Sequence, residues 1–506
     1  MATISSFNYS HLEKKILEKG LCSGCGTCEA TCPTGALRLK ESKPHLQYDC
    51  TQFRDSCTIC HEVCPHSEML LLDCIEAVSQ APECNEAIGY FRKILLAQSA
   101  DTKMRQQTAG GAVVTSLLSY GIDNKIFDSA IVSQSEQKDP ARPQPSVALT
   151  SEEVVSAIGS KFFPSATVSA YSDAVLRYGK TKVAVVGVPC HVLGLRKIEA
   201  WHHKISGRQA MLIGLFCSGT FTQEPMMEFL KETYNVEPSE IKQMYFAGQF
   251  IVETEKERIE VPVKEIKAFS RTSCKYCVDF TSEAADISIG SGHPLPNTSI
   301  VILRTKRGED FFYEAMEKGI INARGIKQEA KLFEHMIMAA LRKRAKGATE
   351  TIKQGGTVRF SLASMLMETH PLASIKVEDI MTPNITVISS EATVSQLLEL
   401  MATENRIAYP VEEKGKGFLG IVTMEQASKV DKDKRNETLV GTIANRALKV
   451  VFPGKRIVEI FNEISQQDLP QVIVQNPQNP KGTLGIITQK DLMQLFVNGT
   501  NKKSNR

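Results

Sequence analysis

Fourteen cysteines stand in this chain, ten of them within the first 84 residues and none after Cys277. Their spacing is where the chemistry is most legible. Cys22, Cys25, Cys28 and Cys32 form a C-x2-C-x2-C-x3-C run followed by Pro33. Two-residue gaps let one tight loop wrap three thiolates around a 4Fe–4S cubane, and the cysteine before proline can ligate a second cluster. Gly24 and Gly26 read as positions that remove side chains where the backbone approaches the sulfides. A second, imperfect run has Cys57, Cys60 and Cys64-Pro65, but Arg54 fills its first slot and Cys50 is the natural substitute. This spacing assigns Cys22, Cys25, Cys28 and Cys64 to one cluster, and Cys50, Cys57, Cys60 and Cys32 to another. Cys74 or Cys84 is the alternative to Cys50; otherwise both are free or buried thiols. Zinc is the competing reading of the first run.

Four cysteines remain. Cys190 ends the run VAVVGVPC, Cys217 ends MLIGLFC, and Cys274 and Cys277 make a C-x2-C pair. Two strand-end thiols and a chelating pair suit one more 4Fe–4S cluster, with zinc or buried structural cysteines left open by spacing alone. Gly110-Gly111 opens an expected helix, where backbone N–H groups and the helix dipole can meet a phosphate.

The elements that must position these residues fall into blocks. Residues 1–84 are Cys-rich and punctuated by Gly and Pro. Residues 85–350 alternate apolar strands with helices. Strands are expected at Ser129–Ser133, Lys182–Val188, Met211–Cys217, Asp286–Gly290 and Ser299–Arg304, and helices at Gly111–Tyr120, Val192–Ala200, Pro225–Tyr234 and Gly308–Lys318. That order predicts an α/β arrangement, or α+β if helices and strands segregate. Residues 351–376 read as a linker, 377–497 contain an internal repeat, and 498–506 read as a disordered tail.

Lys+Arg 60 against Asp+Glu 57 leaves a net charge of +3. This balance gives no reason to expect a nucleic-acid partner. The basic stretch Leu341–Lys346 reads as a solvated helix end. No apolar run reaches the ~18 residues of a membrane span, and the N-terminus lacks the apolar core of a signal peptide. A cytoplasmic protein is expected, and dense cysteine in a reducing compartment reads as metal binding rather than disulfides.

Residues Leu21–His66 resemble bacterial two-cluster ferredoxins, which implies one-electron relay. Residues 85–335 resemble the beta-subunit family of coenzyme F420 hydrogenase and dehydrogenase. The resemblance is carried by GGAVVTSLLSY (Gly110–Tyr120), GSKFFPS (Gly159–Ser165), VPCHVLGLR (Val188–Arg196), LFCSG (Leu215–Gly219) and CKYCVDFTSEAADISIGSG (Cys274–Gly292). It implies FAD, a 4Fe–4S cluster on Cys190, Cys217, Cys274 and Cys277, and hydride exchange with coenzyme F420. It also implies that Gly110, Gly111, Ser160, Lys161, Phe162 and Asp286 serve the flavin or coenzyme, with Lys161 neutralising negative charge or standing as a surface lysine, and Asp286 positioning backbone or coenzyme or capping a strand end. No side chain is assigned as catalytic acid, base or nucleophile, because the cofactors carry the chemistry.

The repeat over 377–497 resembles a tandem CBS pair, with Asp379-Ile380-Met381 at its start and Gly-x-x-Thr ends at Thr423 and Thr488. This implies adenosine nucleotide (AMP or ATP) near Thr423, or near Thr488 and Asp491, with one competent site at most because Gln426 fills the first aspartate slot. The expectation is thus a multidomain α/β (α+β) chain. It has a ferredoxin-like domain for two 4Fe–4S clusters, a central α/β flavin and Fe–S domain, and a CBS pair. The enzyme reading is an F420-linked oxidoreductase passing electrons to ferredoxin or a partner subunit, with a homodimer plausible through the CBS pair. The alternatives are a ferredoxin-dependent reductase of another substrate and a non-catalytic electron adaptor.

Overall fold

The computed structural model describes residues 9–52, 57–67, 69–70, 74, 78–108, 110–136, 141–353, 376–383, 386–404, 408–415, 417–446, 450–455, 471–476 and 479–488. The chain forms two compact units, Met1–Met365 and Leu366–Arg506.

In the first unit an eight-stranded mixed sheet runs in the order Ile321–Gly325, Lys93–Ser99, Ser299–Leu303, Ile287–Ser291, Gln209–Leu215, Val183–Gly187, Ser129–Ser135, Pro143–Ala148. The middle strands from Ile287–Ser291 to Ser129–Ser135 pair in parallel. The outer pairings are antiparallel. The central strands are apolar at nearly every position, as sheets covered on both faces require. Alternation then sorts each strand. Ala130, Val132, Ala184, Met211 and Ile213 face Leu117, Leu118, Phe311 and Phe312. Ile131, Val183, Val185 and Leu212 face Val168, Tyr171, Leu195 and Ile198. So the helices Val113–Asp123 and Lys306–Glu317 cover one face, and Thr167–Leu176 and Pro189–Ala200 the other.

Each expected strand and helix between 111 and 318 has a counterpart within a few residues. Val113–Asp123 starts two residues later than expected, because Ala112 takes a left-handed φ of 54°. Not anticipated were the strands Lys93–Ser99, Pro143–Ala148 and Ile321–Gly325, and the helices Thr167–Leu176 and Ala330–Lys353. Nor was a separate antiparallel sheet of Ile241–Ala247, Gln249–Thr254 and Arg258–Val261, which buries Met244, Phe250 and Val252 against the helix Gln223–Tyr234.

The N-terminal block packs on the second helical face. Val168 N–H donates to the Cys25 carbonyl at 3.0 Å, and Ser169 Oγ donates to Glu29 Oε2 at 2.6 Å. Gly24 and Gly26 have φ of 72° and 88°. A Cβ on Gly24 would lie 2.8 Å from the Ser42 carbonyl oxygen, and one on Gly26 2.2 Å from Ser169 Oγ and 2.8 Å from its nitrogen. These glycines therefore admit neighbouring protein and a left-handed backbone. Gly26→Ala should cost about 1–2 kcal/mol for the left-handed residue and a further ~1–3 kcal/mol for overpacking. A lowered denaturant midpoint of the anaerobic protein would show it, and an unchanged midpoint would refute it.

In the second unit, Ile388–Ser389, Ala408–Glu413 and Gly417–Thr423 form one sheet, whose Tyr409, Val411 and Val422 pack on Leu397 and Met401 of the helix Val394–Glu404. A second sheet joins Thr382–Pro383, Asn479–Thr488, Gln471–Asn476 and Val450–Val451. The segment before the first sheet thus pairs with the last strand of the second. Residues 456–470 of the repeat, most of the linker 351–376 and the tail lie outside the described residues. No helix among the described residues is long and apolar enough to cross a membrane.

Candidate functional site

The N-terminal thiols gather beneath an apolar lid. Leu12, Ile16, Leu21, Leu37 and Tyr276 enclose Cys60 and Cys64, with Cys22, Cys28 and Cys32 against them. Cys28 is surrounded by Cys25, Cys22 and Cys64, with Cys60 beyond. Cys64 likewise faces Cys25 and Cys22. Cys60 faces Cys57, Cys32 and Cys50 ahead of Cys64, and Cys50 faces Cys32 and Cys57. The chain therefore brings Cys22, Cys25, Cys28 and Cys64 together as one set and Cys32, Cys50, Cys57 and Cys60 as another. Among the described residues no three Cys, His, Asp or Glu side chains close around a single ion, so each set is read from four neighbouring thiols. Cys74 is instead buried in the apolar core with Val168, Leu195 and Ile198. Cys84 sits on a short hairpin, its thiol pushed up to about 11 by burial and then by Glu283 and Glu86.

Burial, and then the neighbouring thiols, push Cys60 and Cys64 up to about 12. Such thiols ionise only beside a concentrated positive charge. Four soft donors in an apolar shell are the donor set of a 4Fe–4S cluster, and the residues fit one in each set.

The third set lies at the carboxyl ends of two adjacent parallel strands. Cys190 follows Val183–Gly187, as second residue of the helix Pro189–Ala200, and Cys217 follows Gln209–Leu215. Cys274 ends near them on the short helix Thr272–Lys275, with Cys277 just beyond. Around Cys190 stand Cys25, Cys217, Cys277 and Cys274. The core set thus adjoins the first N-terminal set, which itself adjoins the second. Thr220 N–H donates to Cys274 Sγ at 3.3 Å, and Arg271 Nη2 to the Cys22 carbonyl at 3.1 Å. Lys343 donates to the Cys217 carbonyl. Burial opposes its charge, but Cys277, Cys217 and Cys274 more than offset this and raise its pKa.

Lys343 and Arg344 overturn the reading of Leu341–Lys346 as a solvated helix end. Arg344 is 6% exposed and pairs with buried Glu283 at 2.5 Å. The available signal was the stripe Ile337, Ala340, Leu341, Arg344, Ala345, which repeats every three or four residues. All five are buried.

The expected flavin residues divide. Ser160 and Lys161 line a cavity of about 220 Å³ with Gln107, Ser135, Gln243 and Met244. The Lys161 ammonium is neither on the surface nor held out for an anion. It donates to the carbonyls of Ala157, Ile158 and Gly159 at 2.8, 3.0 and 3.2 Å, and burial lowers its pKa to about 8. Phe162 joins Phe221, Phe246 and Phe250 in an aromatic cluster. Gly110 and Gly111 are not among the cavity's lining residues, though Gln107 three residues earlier is. Gly111 N–H donates to Ser299 Oγ at 3.1 Å, and a Cβ there would lie 2.7 Å from the Ala97 carbonyl oxygen. Close strand packing therefore explains Gly111. The helix after it has no side-chain cap, so its first N–H groups are open to an anion.

Asp286 is not placed as a cofactor contact. Its carboxylate is 1% exposed. It accepts from Arg196 (3.0 Å), from Arg307 twice (2.8 and 2.7 Å), from Thr305 Oγ1 (2.7 Å) and from Leu212 N–H (2.8 Å). This is a structural ion-pair hub with its acceptor sites filled: of the expected roles it serves the positioning of backbone, at Leu212, and not contact with the coenzyme.

In the second unit, Thr423 and Gln426 bond reciprocally. The Gln426 amide oxygen accepts from Thr423 N–H at 2.8 Å, and Thr423 Oγ1 accepts from Gln426 N–H at 3.3 Å. They cap the helix Met424–Ser428. Thr488 ends the strand Asn479–Thr488, and Asp491 lies outside the described residues.

Known families match in the same order. The N-terminal part of the coenzyme F420 hydrogenase/dehydrogenase beta subunit matches residues 94–172, and the C-terminal part of that same beta subunit matches 180–329. A 4Fe-4S binding domain matches 16–38 and a CBS domain 377–432. The chain is 30% identical to coenzyme F420 hydrogenase subunit beta of Methanothermobacter thermautotrophicus over 48% of this chain and 87% of that protein. It is 32% identical to coenzyme F420-dependent sulfite reductase of Methanocaldococcus jannaschii over 58% of this chain and 46% of that one. Among solved structures, one chain of the xenon-derivatized F420-reducing [NiFe] hydrogenase complex from Methanosarcina barkeri aligns with a TM-score of 0.51 at 26% identity. The alignment covers 54% of this chain and 94% of that one.

Proposed function

The chain belongs to the coenzyme F420 hydrogenase/dehydrogenase beta-subunit family, and on that premise we propose that it is an F420-linked oxidoreductase relaying electrons through three 4Fe–4S sites. The observation that carries the proposal is the adjacency of the thiol sets. Cys60 of the second set neighbours Cys64 of the first, and Cys25 of the first neighbours Cys190 of the core set. Three sets in a row, beginning beside the flavin-type core and ending in the N-terminal block, describe a wire rather than three separate structural centres.

When bound, FAD would accept a hydride from reduced coenzyme F420 and release its electrons singly to 4Fe–4S clusters. The chain's own residues supply position. Ser160 and the carbonyls organised by Lys161 line one end of the flavin site, whose cavity is below the ~300–1,000 Å³ of typical cofactor pockets and suits part of a dinucleotide. The open N–H groups at the start of Val113–Asp123 suit its pyrophosphate. Thr220 donates to a cysteine sulfur of the core set, an interaction that tunes such centres.

The N-terminal block fused to this core favours a one-electron carrier, ferredoxin or a redox subunit, as the partner at the far end. An adenosine nucleotide at the CBS pair would be a regulator, tested by whether AMP or ATP binds and alters turnover.

The test is to purify the protein without oxygen, quantify iron and flavin, and add reduced coenzyme F420. About 12 irons and one FAD per chain, at four irons per cubane, with bleaching of both flavin and cluster bands, are the expected results. Full loading without bleaching would transfer the chain to the ferredoxin-dependent reductases. Iron without flavin would leave a non-catalytic adaptor.

A further inference from the structure

The helix Ala330–Lys353 begins just past residue 329, where the match to the beta-subunit family ends, so that match assigns it no role. One of its faces lies on the loop that follows the core C-x2-C pair. Gly347 is buried, and a Cβ there would lie 2.7 Å from Val278 Cγ1 and 2.8 Å from the Cys277 carbonyl oxygen. Arg344 pairs with Glu283 at 2.5 Å, which anchors the preceding turn to the same loop. Positions three and four apart share a helix face, so Lys343 stands one turn before Gly347 over the same thiols. Its Nζ donates to the Cys217 carbonyl. A helix held this closely by Gly347 and Arg344 fixes that ammonium beside both halves of the core set.

The charges around Lys343 have a clear order. Cys277, Cys217 and Cys274 stabilise the ammonium most, ahead of Asp279. Asp279 spends its carboxylate on backbone, accepting from Ser282 N–H at 2.8 Å and from Glu283 N–H at 3.0 Å. It is a counter-charge to Lys343, felt through space. That compensation does not cancel an effect on reduction. A cluster on four thiolates gains one negative charge when it takes one electron, and each fixed charge nearby acts on that added charge separately. Lys343 favours the reduced form and Asp279 opposes it.

We propose that Lys343 is a positioning residue for electron relay: fixed against the core cysteines, its ammonium raises the reduction potential of the cluster on Cys190, Cys217, Cys274 and Cys277. The electron this cluster takes is one of the pair that the flavin releases singly. The proposal rests on the three-site reading above.

The test uses the full chain, purified without oxygen, in Lys343→Gln, Lys343→Met and Lys343→Arg forms, with iron counted and each cluster titrated by EPR. The signal to follow is the one that Cys274→Ala abolishes. Gln keeps a donor for the Cys217 carbonyl and removes the charge, whereas Met removes both. With either, the reduced-to-oxidised ratio of the core cluster at a fixed potential should fall about tenfold, or about 59 mV for one electron. The N-terminal signals should hold their potentials, and the Arg form should stay near wild type. A Gln variant with full iron and an unmoved potential would overturn the proposal, and a shift seen with Met alone would assign the effect to the hydrogen bond and overturn it too. Should the Lys343 variants lose iron, Asp279→Asn reads the same field with the opposite sign: the ratio should rise, and a fall or no change would count against the proposal. If no wild-type signal depends on Cys274, the three-site reading fails instead, so the two failures are distinct.

Discussion

Cys64→Ser should remove the cluster proposed at Cys22, Cys25 and Cys28 and spare the one proposed beside Cys57, so that iron falls from about 12 to about 8 per chain at four irons per cubane. Chain order alone would suggest the opposite, since Cys64 lies four residues from Cys60 and thirty-six from Cys28. The fold decides otherwise, because Cys25 and Cys22 are the thiols nearest in effect to Cys64. A double variant separates the two assignments. With Cys57→Ser added, crossed ligation loses both N-terminal clusters and leaves about 4 irons, whereas shared ligation still leaves about 8. A double variant retaining about 8 irons would end the crossed assignment. The functional consequence is large, since the lost site stands between the other two. Reduced coenzyme F420 should still bleach the flavin and the core cluster, while reduction of the far cluster slows by orders of magnitude.

The cysteine runs were legible before any coordinates because thiol spacing is a local property of the chain. The parallel core strands were legible too, from runs such as VAVVG and MLIGL. What stayed hidden depended on distant partners. Asp286 sits in ADIS, where nothing nearby announces that Arg196 and Arg307 converge on it from ninety residues before and twenty-one after. Lys197 and Lys343 look like ordinary helix-surface cations until the fold sets a cysteine carbonyl against each. The Ile241–Val261 sheet was missed for another reason. Its strands carry Lys, Gln, Glu and Arg on an open face, although Gly248 between two alternating runs was a usable hairpin signal. Gly111 carries a second constraint that the sequence did not announce, close packing on Ala97 and Ser299.

Asp286→Asn should destabilise the first unit by about 3–5 kcal/mol, the usual cost of deleting one partner from a buried ion pair. Asparagine nearly matches the shape, so the loss reports charge rather than a cavity. Arg196 would keep Glu199 at 2.8 Å and the Ala284 carbonyl at 2.8 Å, but it and Arg307 would no longer meet a buried anion. The site joins Gln209–Leu215, Ile287–Ser291 and the start of Lys306–Glu317, so the whole sheet feels the loss. Acid should reproduce part of the effect. Burial would raise the Asp286 pKa, but Arg196 and Arg307 outweigh it and hold the carboxyl at about 2, against 3.8 for an ordinary aspartate. A depressed folded pKa gives stability that is complete above about pH 4 and drains as pH falls toward about 2. The linkage is worth about 2 kcal/mol at 1.36 kcal/mol per pKa unit. Other carboxylates titrate in the same window, so the diagnostic is the difference between wild type and Asp286→Asn. Their unfolding free energies, measured by denaturant from pH 6 down to pH 2, should converge as the wild type loses what the variant never had. Parallel curves with a constant gap would mean that the variant's loss comes from geometry and not from the ionised carboxylate.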